Sequence, residues 1–223
     1  MESRAALARH GQALRRAVLA SSILATSVLV AWVGLDVARL LFDGAALGVV
    51  LGIALGALVI DFVTGLVHFA CDRFGDPTTP VAGPLLIRAF REHHDDPQAI
   101  VDHDWIETNG ESCFLTMIAL AGLALLAPYA HSNLEAAAVT VVWTMAVLGA
   151  CANQAHKWAH MQKPPAVVGF FQRAGLMLSP EKHARHHHAP HDTAYCITTG
   201  WMNPLLDWLG LWPWLERSLK GMT

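Results

Sequence analysis

Residues 45–60 read AALGVVLGIALGALVI, and this uncharged run decides the fold class. Its apolar pattern is typical of a helix that continues into the polar residues beyond it and is long enough to cross a bilayer. A stripe of small residues repeats every four positions and predicts close packing against another helix in lipid: Gly48, Gly52 and Gly56. We therefore predict a transmembrane span at residues 45–70.

Three further apolar runs predict spans at residues 17–35, 113–130 and 136–152. Composition agrees, since 54% of residues are hydrophobic and 15% are charged, against roughly a quarter charged in a soluble domain. A basic start before an apolar run also fits a cleaved signal peptide, but no A-x-A site closes the first run, which favours a retained helix. The expected fold is an all-α integral membrane protein with about four transmembrane helices.

Positive charges predict the orientation of these spans. Of the fifteen Lys and Arg residues, fourteen fall in residues 1–16, 73–112 and 153–223, and only Arg39 lies in a predicted outer loop. Because cytoplasmic loops carry the excess of positive charge, both termini are expected in the cytoplasm. Residues 17–223 are expected to form one domain with a cytoplasmic, histidine-rich helical cap. Four tryptophans are expected as anchors at the membrane interface: Trp201, Trp208, Trp212 and Trp214.

Charge and cysteine content argue against a nucleic-acid-binding protein and against a fold built on disulfides or zinc fingers. The net charge is −3, and no basic stripe with aromatic residues suggests a nucleic-acid partner. The four cysteines are too widely spaced for a disulfide framework or a zinc finger: Cys71, Cys113, Cys151 and Cys196.

Histidines carry the strongest chemical signal, and residues 182–191 (KHARHHHAPH) are the densest stretch. On a helix, steps of three and four would bring His183, His186 and His187 to one face. Imidazole suits iron, zinc and copper, so three convergent rings form part of a metal shell. His156 and His160 form a second pair one turn apart. Lys157 stands where an H-E-x-x-H protease has its glutamate, which argues against metal-assisted hydrolysis.

The predicted topology places every histidine except His131 on the cytoplasmic side. When His10 and His188 are set aside together with His131, ten of the thirteen histidines remain as candidate ligands. This is more than a single structural zinc site uses. Adjacent histidines diverge by about 100° on a helix, so the 93–94 pair could serve two metals. We therefore predict two metals held mainly by imidazole, with these candidates: His68, His93, His94, His103, His156, His160, His183, His186, His187 and His191.

Other interpretations of the same residues stay open. The 182–191 stretch could be an exposed loop, and His68 could simply pair with Asp72. A metal transporter or store would distribute ligands across the span centres, whereas most of these lie outside the apolar runs. A purely structural membrane protein would give no reason for ten clustered imidazoles.

Longer strings resemble one family over residues 61 to 215. These are DFVTGLVH (61–68), REHH (91–94), HDWIETNG (103–110), NQAHKW (153–158) and CITTGW (196–201). They are similar to the plasmanylethanolamine desaturases. The resemblance implies a di-iron enzyme that uses O2 and two electrons to form the vinyl ether double bond of a plasmalogen from a 1-O-alkyl glycerophospholipid.

The resemblance also implies roles for particular residues. The ten histidines would hold two iron ions, and His188 has no counterpart in the family string. Acidic and amide groups would orient the rings: Asp72, Asp104, Glu107, Asn153 and Asp192. Three arginines would either contact the lipid phosphate or remain solvated charges on the cytoplasmic face: Arg88, Arg91 and Arg185.

The resemblance implies partners, and the composition indicates a location. Electrons would come from a separate carrier, either cytochrome b5-like or of the ferredoxin type, and the membrane lipids supply the substrate. The alternative enzyme is a related desaturase or hydroxylase that uses the same histidine boxes on an acyl chain. An alanine-rich composition with Arg preferred over Lys favours a bacterial cytoplasmic membrane.

Overall fold

The protein is described by a computed structural model that covers residues 2–80 and 82–221, and no strand occurs among them. Met1, at the start of the expected tail, and the last two residues of the expected domain lie outside the described residues. Four helices are long and apolar enough to cross a membrane, which confirms the expected fold class. They span His10–Phe42, Ala46–Arg73, Trp105–Tyr129 and Asn133–Ala150.

The first helix, α1 (Glu2–Phe42), is longer than the expected span. Sequence analysis placed Arg39 in an outer loop, but the helix continues through Asp36 and Arg39. The reason is that Arg39 has partners there, because its guanidinium donates to the carbonyl oxygens of Ala127 and Ala130, each at 3.2 Å. Arg39 also lies 3.6 Å from the Asp36 carboxylate, one helical turn away. A charge paired in this way does not have to end the helix.

The chain packs as two compact units. The first contains residues up to Ala57 and His103–Asn153. In it, α1 packs with α5 (Trp105–Leu126) and α6 (Asn133–Ala150). The Thr26 hydroxyl donates to the Cys113 carbonyl at 2.8 Å, and the Trp143 indole donates to the Val30 carbonyl at 3.0 Å. Apolar packing within the bilayer is thus supplemented by polar contacts between helices.

Local capping sets the start of α5 and α6. Asp104 accepts hydrogen bonds from the backbone of Ile106 and Glu107, and the Glu107 side chain accepts one from the Asp104 backbone. Ser132 and Glu135 form the same capping box at α6. Each box satisfies backbone N–H groups that the helix leaves unpaired.

The glycine stripe on α2 (Ala46–Arg73) packs against α6. A Cβ atom at Gly52 would lie 2.7 Å from Cβ of Thr140, and one at Gly56 would lie 2.8 Å from Cβ of Thr144. Only a residue without a side chain allows the two backbones to approach this closely. The predicted role of the stripe in helix packing is confirmed.

The second unit contains Leu58–Asp102 and the residues from Gln154 onward. The end of α2 is followed by a π-helical turn at Gly83–Ile87 and by short helices. These are α3 (Arg88–Asp95), α4 (Ala99–Asp102), α7 (Ala152–His160), α8 (Ala166–Arg173), α9 (Pro180–Ala184), α10 (Asn203–Trp208) and α11 (Leu211–Lys220).

An aromatic core cluster holds this unit together. Trp212 is only 1% exposed and packs with Phe69 and Tyr195. The prediction that Trp212 anchors at an interface is therefore wrong, because its ring fills the core. Trp208 and Trp214 are 81% and 55% exposed, as an interfacial anchor requires.

Candidate metal centre

Five histidines converge in the second unit, and we call them group A. One ring nitrogen from each lies within 4.8 Å of the corresponding nitrogen of every other member, although the residues come from separate pieces of chain. The members are His93, His156, His160, His183 and His187.

The Nε2 atoms of group A face one another directly. Nε2 of His183 lies 2.8 Å from that of His156 and 3.0 Å from that of His187. The corresponding separation is 3.2 Å between His93 and His187 and 3.3 Å between His156 and His160. Two ligands at right angles on one metal, with bonds of about 2.0–2.1 Å, lie about 3 Å apart. The spacing is therefore that of ligand atoms around a shared cation.

A second set, group B, contains His68, Asp72, His94 and His186, whose ligand atoms also lie within 4.8 Å of one another. Oδ2 of Asp72 lies 2.9 Å from Nε2 of His94 and 3.4 Å from Nε2 of both His68 and His186. Sequence analysis gave Asp72 a ring-orienting role. Here its carboxylate lies among the ligand atoms themselves.

Helical spacing explains which residues join which group. His68 and Asp72 are one turn apart on α2, and His156 and His160 are one turn apart on α7, so each pair shares a face. His93 and His94 are adjacent on α3 and diverge, which places one in each group.

The 182–191 stretch is only partly helical. Helix α9 ends at Ala184, and a turn carries the next histidines. The His186 backbone N–H donates to the His183 carbonyl at 2.9 Å, so the turn still brings the rings together. His183 and His187 belong to group A, whereas His186 belongs to group B.

Two backbone carbonyls fix the ring orientation in group B. Nδ1–H of His68 donates to the Tyr195 carbonyl at 3.1 Å, and Nδ1–H of His186 donates to the Thr193 carbonyl at 2.8 Å. Because a carbonyl can only accept, Nδ1 must carry the hydrogen, and the lone pair is left on Nε2. Nε2 of His68 is buried without a hydrogen-bond partner among the described residues. The rings of His68 and His186 therefore each direct an unprotonated Nε2, which can bind a metal, into group B.

Burial keeps the histidines of group A neutral. Burial, followed by the charge of neighbouring imidazoles, lowers the pKa of His93 to about 2, of His187 to about 3 and of His160 to about 4. The pKa values of His156 and His183 are also well below the usual value, for the same first reason. At neutral pH all five rings have the uncharged form that binds metal.

The donor set fits metal ions. Eight imidazoles and one carboxylate converge in the two groups, and the buried Nε2 of His68 has no hydrogen-bond partner among the described residues. A cation would satisfy that lone pair, and nitrogen-rich sites suit iron, zinc and similar metals. The cluster could therefore bind metal ions.

Two histidines of the predicted set are in neither group. The ring centroid of His191 lies 4.8 Å from that of His94, and Nδ1–H of His191 donates to the His186 carbonyl at 3.0 Å. His103 is exposed and belongs to the first unit. His188, which the sequence left out, is exposed and also in neither group.

The other residues with a predicted ring-orienting role are distributed over both units. Asp104 and Glu107 cap α5 in the first unit, where Arg16 pairs with Asp104 at 2.7 Å. Asn153 is half-buried in the first turn of α7, and Asp192 is half-buried directly after His191.

Asp61 has a role that sequence analysis missed. Its carboxylate is fully buried on α2, two turns before His68. It accepts four hydrogen bonds of 2.5 to 3.0 Å from the segment that follows Tyr195. The donors are the Thr198 hydroxyl and the backbone N–H groups of Thr199, Gly200 and Met202. Residue type cannot reveal such backbone donors, but a lone carboxylate in an apolar run is a signal that a polar partner exists.

Each group lies beside a cavity. One cavity of about 390 Å³ is lined in part by Asp72, Arg91 and His94, and another of about 420 Å³ is lined in part by His160 and Lys163. Of the arginines expected to contact phosphate, only Arg91 lines either one. Arg88 is exposed, and Arg185 lies 3.5 Å from the Asp207 carboxylate.

Four apolar helices and a buried cluster of histidines define an integral membrane protein with a candidate metal centre. Residues 57–223 match the model of the lipid desaturase domain, so the chain belongs to the lipid desaturase family. This confirms the resemblance found in the sequence.

Curated relatives name the family's activities. The chain is 43% identical over 175 residues to the plasmanylethanolamine desaturase of Myxococcus xanthus, covering 77% of this chain and 60% of the relative. It is 41% identical over 181 residues to plasmanylethanolamine desaturase 1 of Mus musculus, covering 78% and 66%. Fatty acid desaturase 4, chloroplastic, of Arabidopsis thaliana is 35% identical over 158 residues, covering 68% and 46%. The chain thus spans less than two thirds of these relatives. No solved structure matches it.

Proposed function

We propose that this protein is an O2-dependent membrane desaturase that forms the vinyl ether of a plasmalogen from a 1-O-alkyl glycerophospholipid such as plasmanylethanolamine. One observation carries the proposal, namely that nine ligand atoms converge in two groups. They do so in a chain similar to two plasmanylethanolamine desaturases. The alkyl chain loses two hydrogens, O2 is reduced to two waters, and a donor supplies the remaining two electrons and protons.

Two iron ions, when bound, would supply the dioxygen chemistry that removes hydrogen beside the ether oxygen. The residues of the chain itself provide the metal ligands and orient them. The neutral imidazoles provide donor atoms, and the Tyr195 and Thr193 carbonyls keep the His68 and His186 rings in one orientation. Burial of His156 and His183 excludes water from the centre of group A.

The ligand set remains a proposal. We propose that the eight histidines of groups A and B hold the metals with Asp72, and that His191 and His103 complete the set of ten. Asp104, Glu107, Asn153 and Asp192 are proposed to orient rings, and Arg88, Arg91 and Arg185 to contact lipid phosphate.

Location and electron supply extend the proposal. The distribution of positive charge supports cytoplasmic termini, and the alanine-rich composition with Arg preferred over Lys supports a bacterial inner membrane. The electrons are proposed to come from a separate carrier, cytochrome b5-like or of the ferredoxin type.

The decisive experiment expresses the chain in a plasmalogen-free host that is fed alkylglycerol. Acid-labile vinyl ethers should form, and metal analysis of protein purified without added metal should find iron. Zinc in place of iron, or lipids without vinyl ethers despite folded protein and a supplied electron donor, would overturn the proposal.

A second candidate is an acyl-chain desaturase or hydroxylase, which the similarity to the chloroplastic fatty acid desaturase 4 favours. The same lipid extract separates the two candidates. New double bonds or hydroxyl groups in ester-linked acyl chains, with ether chains unchanged, would support this second function.

A further inference from the structure

The cavity beside group B carries a distinctive set of charges. Its walls include Asp72 and His94 of group B, and its volume is about 390 Å³. The other charged or titratable lining residues are Arg73, Arg91, Asp95 and His191. Cavities of this size are typical of small-ligand sites.

Contacts with backbone carbonyls, and for Arg73 also with two side chains, hold the two guanidinium groups in position. Arg91 Nε donates to the Cys71 carbonyl at 2.9 Å, and no carboxylate lies within 4.0 Å of Arg91 in the described part of the chain. Arg73 donates to the carbonyls of Pro190 and His191 at 3.2 and 3.3 Å and to the Tyr195 hydroxyl at 3.1 Å, and its Nε lies 3.8 Å from the Glu216 carboxylate. Two arginines that are held before a ligand arrives suit a phosphate diester, which accepts paired N–H donors.

One carboxylate in the cavity remains for a cation. Asp72 is already in contact with three imidazoles of group B. Asp95 lies at the end of α3, and among the described residues no arginine, lysine or histidine nitrogen lies within 4.0 Å of it. The cavity lining thus carries two guanidinium groups, of which Arg91 has no carboxylate partner and Arg73 is paired with Glu216, and one carboxylate without a cationic partner among the described residues.

The lining also discriminates between kinds of ammonium. A primary ammonium has three N–H donors for a carboxylate such as Asp95. A quaternary ammonium has none and is usually held by aromatic rings, yet no Phe, Tyr or Trp of the described chain lines this cavity. The chemistry therefore favours a phosphate joined to a primary amine.

We propose that this cavity binds the phosphoethanolamine headgroup of a phospholipid, with the phosphate at Arg73 and Arg91 and the ammonium at Asp95. The proposal rests on the proposed function, in which the substrate is a glycerophospholipid. Only a glycerol separates the phosphate of such a lipid from the first carbons of its ether chain. A headgroup beside His94 and Asp72 would therefore hold those carbons against the two groups.

The test measures lipid binding to the purified full chain rather than turnover. Wild type, Arg91→Gln and Asp95→Asn are titrated in nanodiscs with 1-O-alkyl phosphoethanolamine and 1-O-alkyl phosphocholine lipids, with free phosphoethanolamine as a competitor. Arg217→Gln, on α11, and Asp96→Asn, beside Asp95, are the matched controls. Unfolding temperatures confirm that each variant is folded.

Arg91→Gln should weaken binding of both lipids by about tenfold, because a charge-assisted hydrogen bond is lost. Asp95→Asn should weaken only the ethanolamine lipid, by about the same factor, and so remove the preference over choline. Asp95→Asn keeps the proposal testable even if Arg91→Gln fails to fold, since Asp95 supports no described contact. The controls should bind like wild type.

Three results would overturn the headgroup assignment: an unchanged preference in Asp95→Asn, Arg91→Gln binding like Arg217→Gln, or free phosphoethanolamine binding as tightly as the lipid. Failure of the proposed function gives a different result. In that case the variants change binding as expected while the wild type forms no vinyl ether. If vinyl ethers form while all variants bind alike, only the headgroup site is wrong.

Discussion

Replacing Asp61 by asparagine keeps the shape of this buried side chain and removes its charge. The carboxylate accepts four hydrogen bonds, three of them at Oδ1 and one, from Met202 N–H at 3.0 Å, at Oδ2. An asparagine oxygen can keep the three in weaker, neutral form, but its NH2 group would then face the Met202 N–H. Hydrogen bonds to charged groups contribute about 1.5–3 kcal/mol, and an unsatisfied buried donor costs about 1–3 kcal/mol.

The neutral side chain is easier to bury, which offsets part of this loss. We therefore expect Asp61→Asn to lower the free energy of unfolding by about 2–4 kcal/mol. For a chain of this length the shift corresponds to roughly 5–15 °C in unfolding temperature. The same change should lower the metal content, because the bonded segment follows directly on Tyr195, whose carbonyl orients the His68 ring.

The assay follows intrinsic tryptophan fluorescence on heating in detergent, together with metal analysis of the unheated protein. Asp43→Asn is the control, since Asp43 is 61% exposed and lies 3.7 Å from Arg39. Surface ion pairs of this kind contribute about 0–1 kcal/mol. An Asp61→Asn protein that unfolds within about 1 °C of the control and keeps its metal would refute the assigned role of the carboxylate.

Three further perturbations test other parts of the structure. His160→Ala should abolish product and reduce bound metal, whereas His188→Ala, outside both groups, should change neither; equal metal content in the two variants would remove His160 from the centre. Burial lowers the pKa of His93 to about 2 and of His160 to about 4, whereas a histidine in the unfolded chain has a pKa of about 6.5. Below about pH 6.5 the unfolded state therefore binds more protons than the folded state. The free energy of unfolding of the metal-free protein should thus be highest above about pH 6.5 and fall as the pH drops toward about 4. Unfolding temperatures measured over this pH range test the prediction, and an unfolding temperature that rises as the pH falls would contradict it. Gly52→Ala should cost about 1–3 kcal/mol through overpacking, whereas Gly122→Ala, with no atom within 4 Å of the added Cβ, should not destabilise; thermal unfolding compares them, and equal values would argue against close packing at Gly52.

The membrane helices could be predicted from local sequence alone. Hydropathy sums over neighbouring residues, so an uncharged run such as residues 45–60 predicts a span without knowledge of the rest of the fold. The glycine stripe likewise predicts a packing face because helical spacing is local. Errors arose where a distant partner compensates a charge, as the carbonyls of Ala127 and Ala130 do for Arg39.

The chemistry of the site could be predicted only in part. Residue type and spacing indicated imidazole ligands, and the divergence of His93 from His94 indicated two groups. Neither could show that Asp72 lies among the ligand atoms or that His191 donates to a carbonyl beside them. Spacing describes one helix at a time, and these contacts join separate helices.

The sequence by itself determined the four apolar helices, the histidine-rich character of the centre and the family to which the chain belongs. Tertiary structure decided which rings face one another, which carbonyls orient them and which arginines line the cavity. The physical reason is the separation along the chain over which each interaction acts. Hydropathy and helical periodicity depend on neighbours within a few turns, whereas His68 meets Tyr195 across 127 positions of the chain, and only packing brings them together.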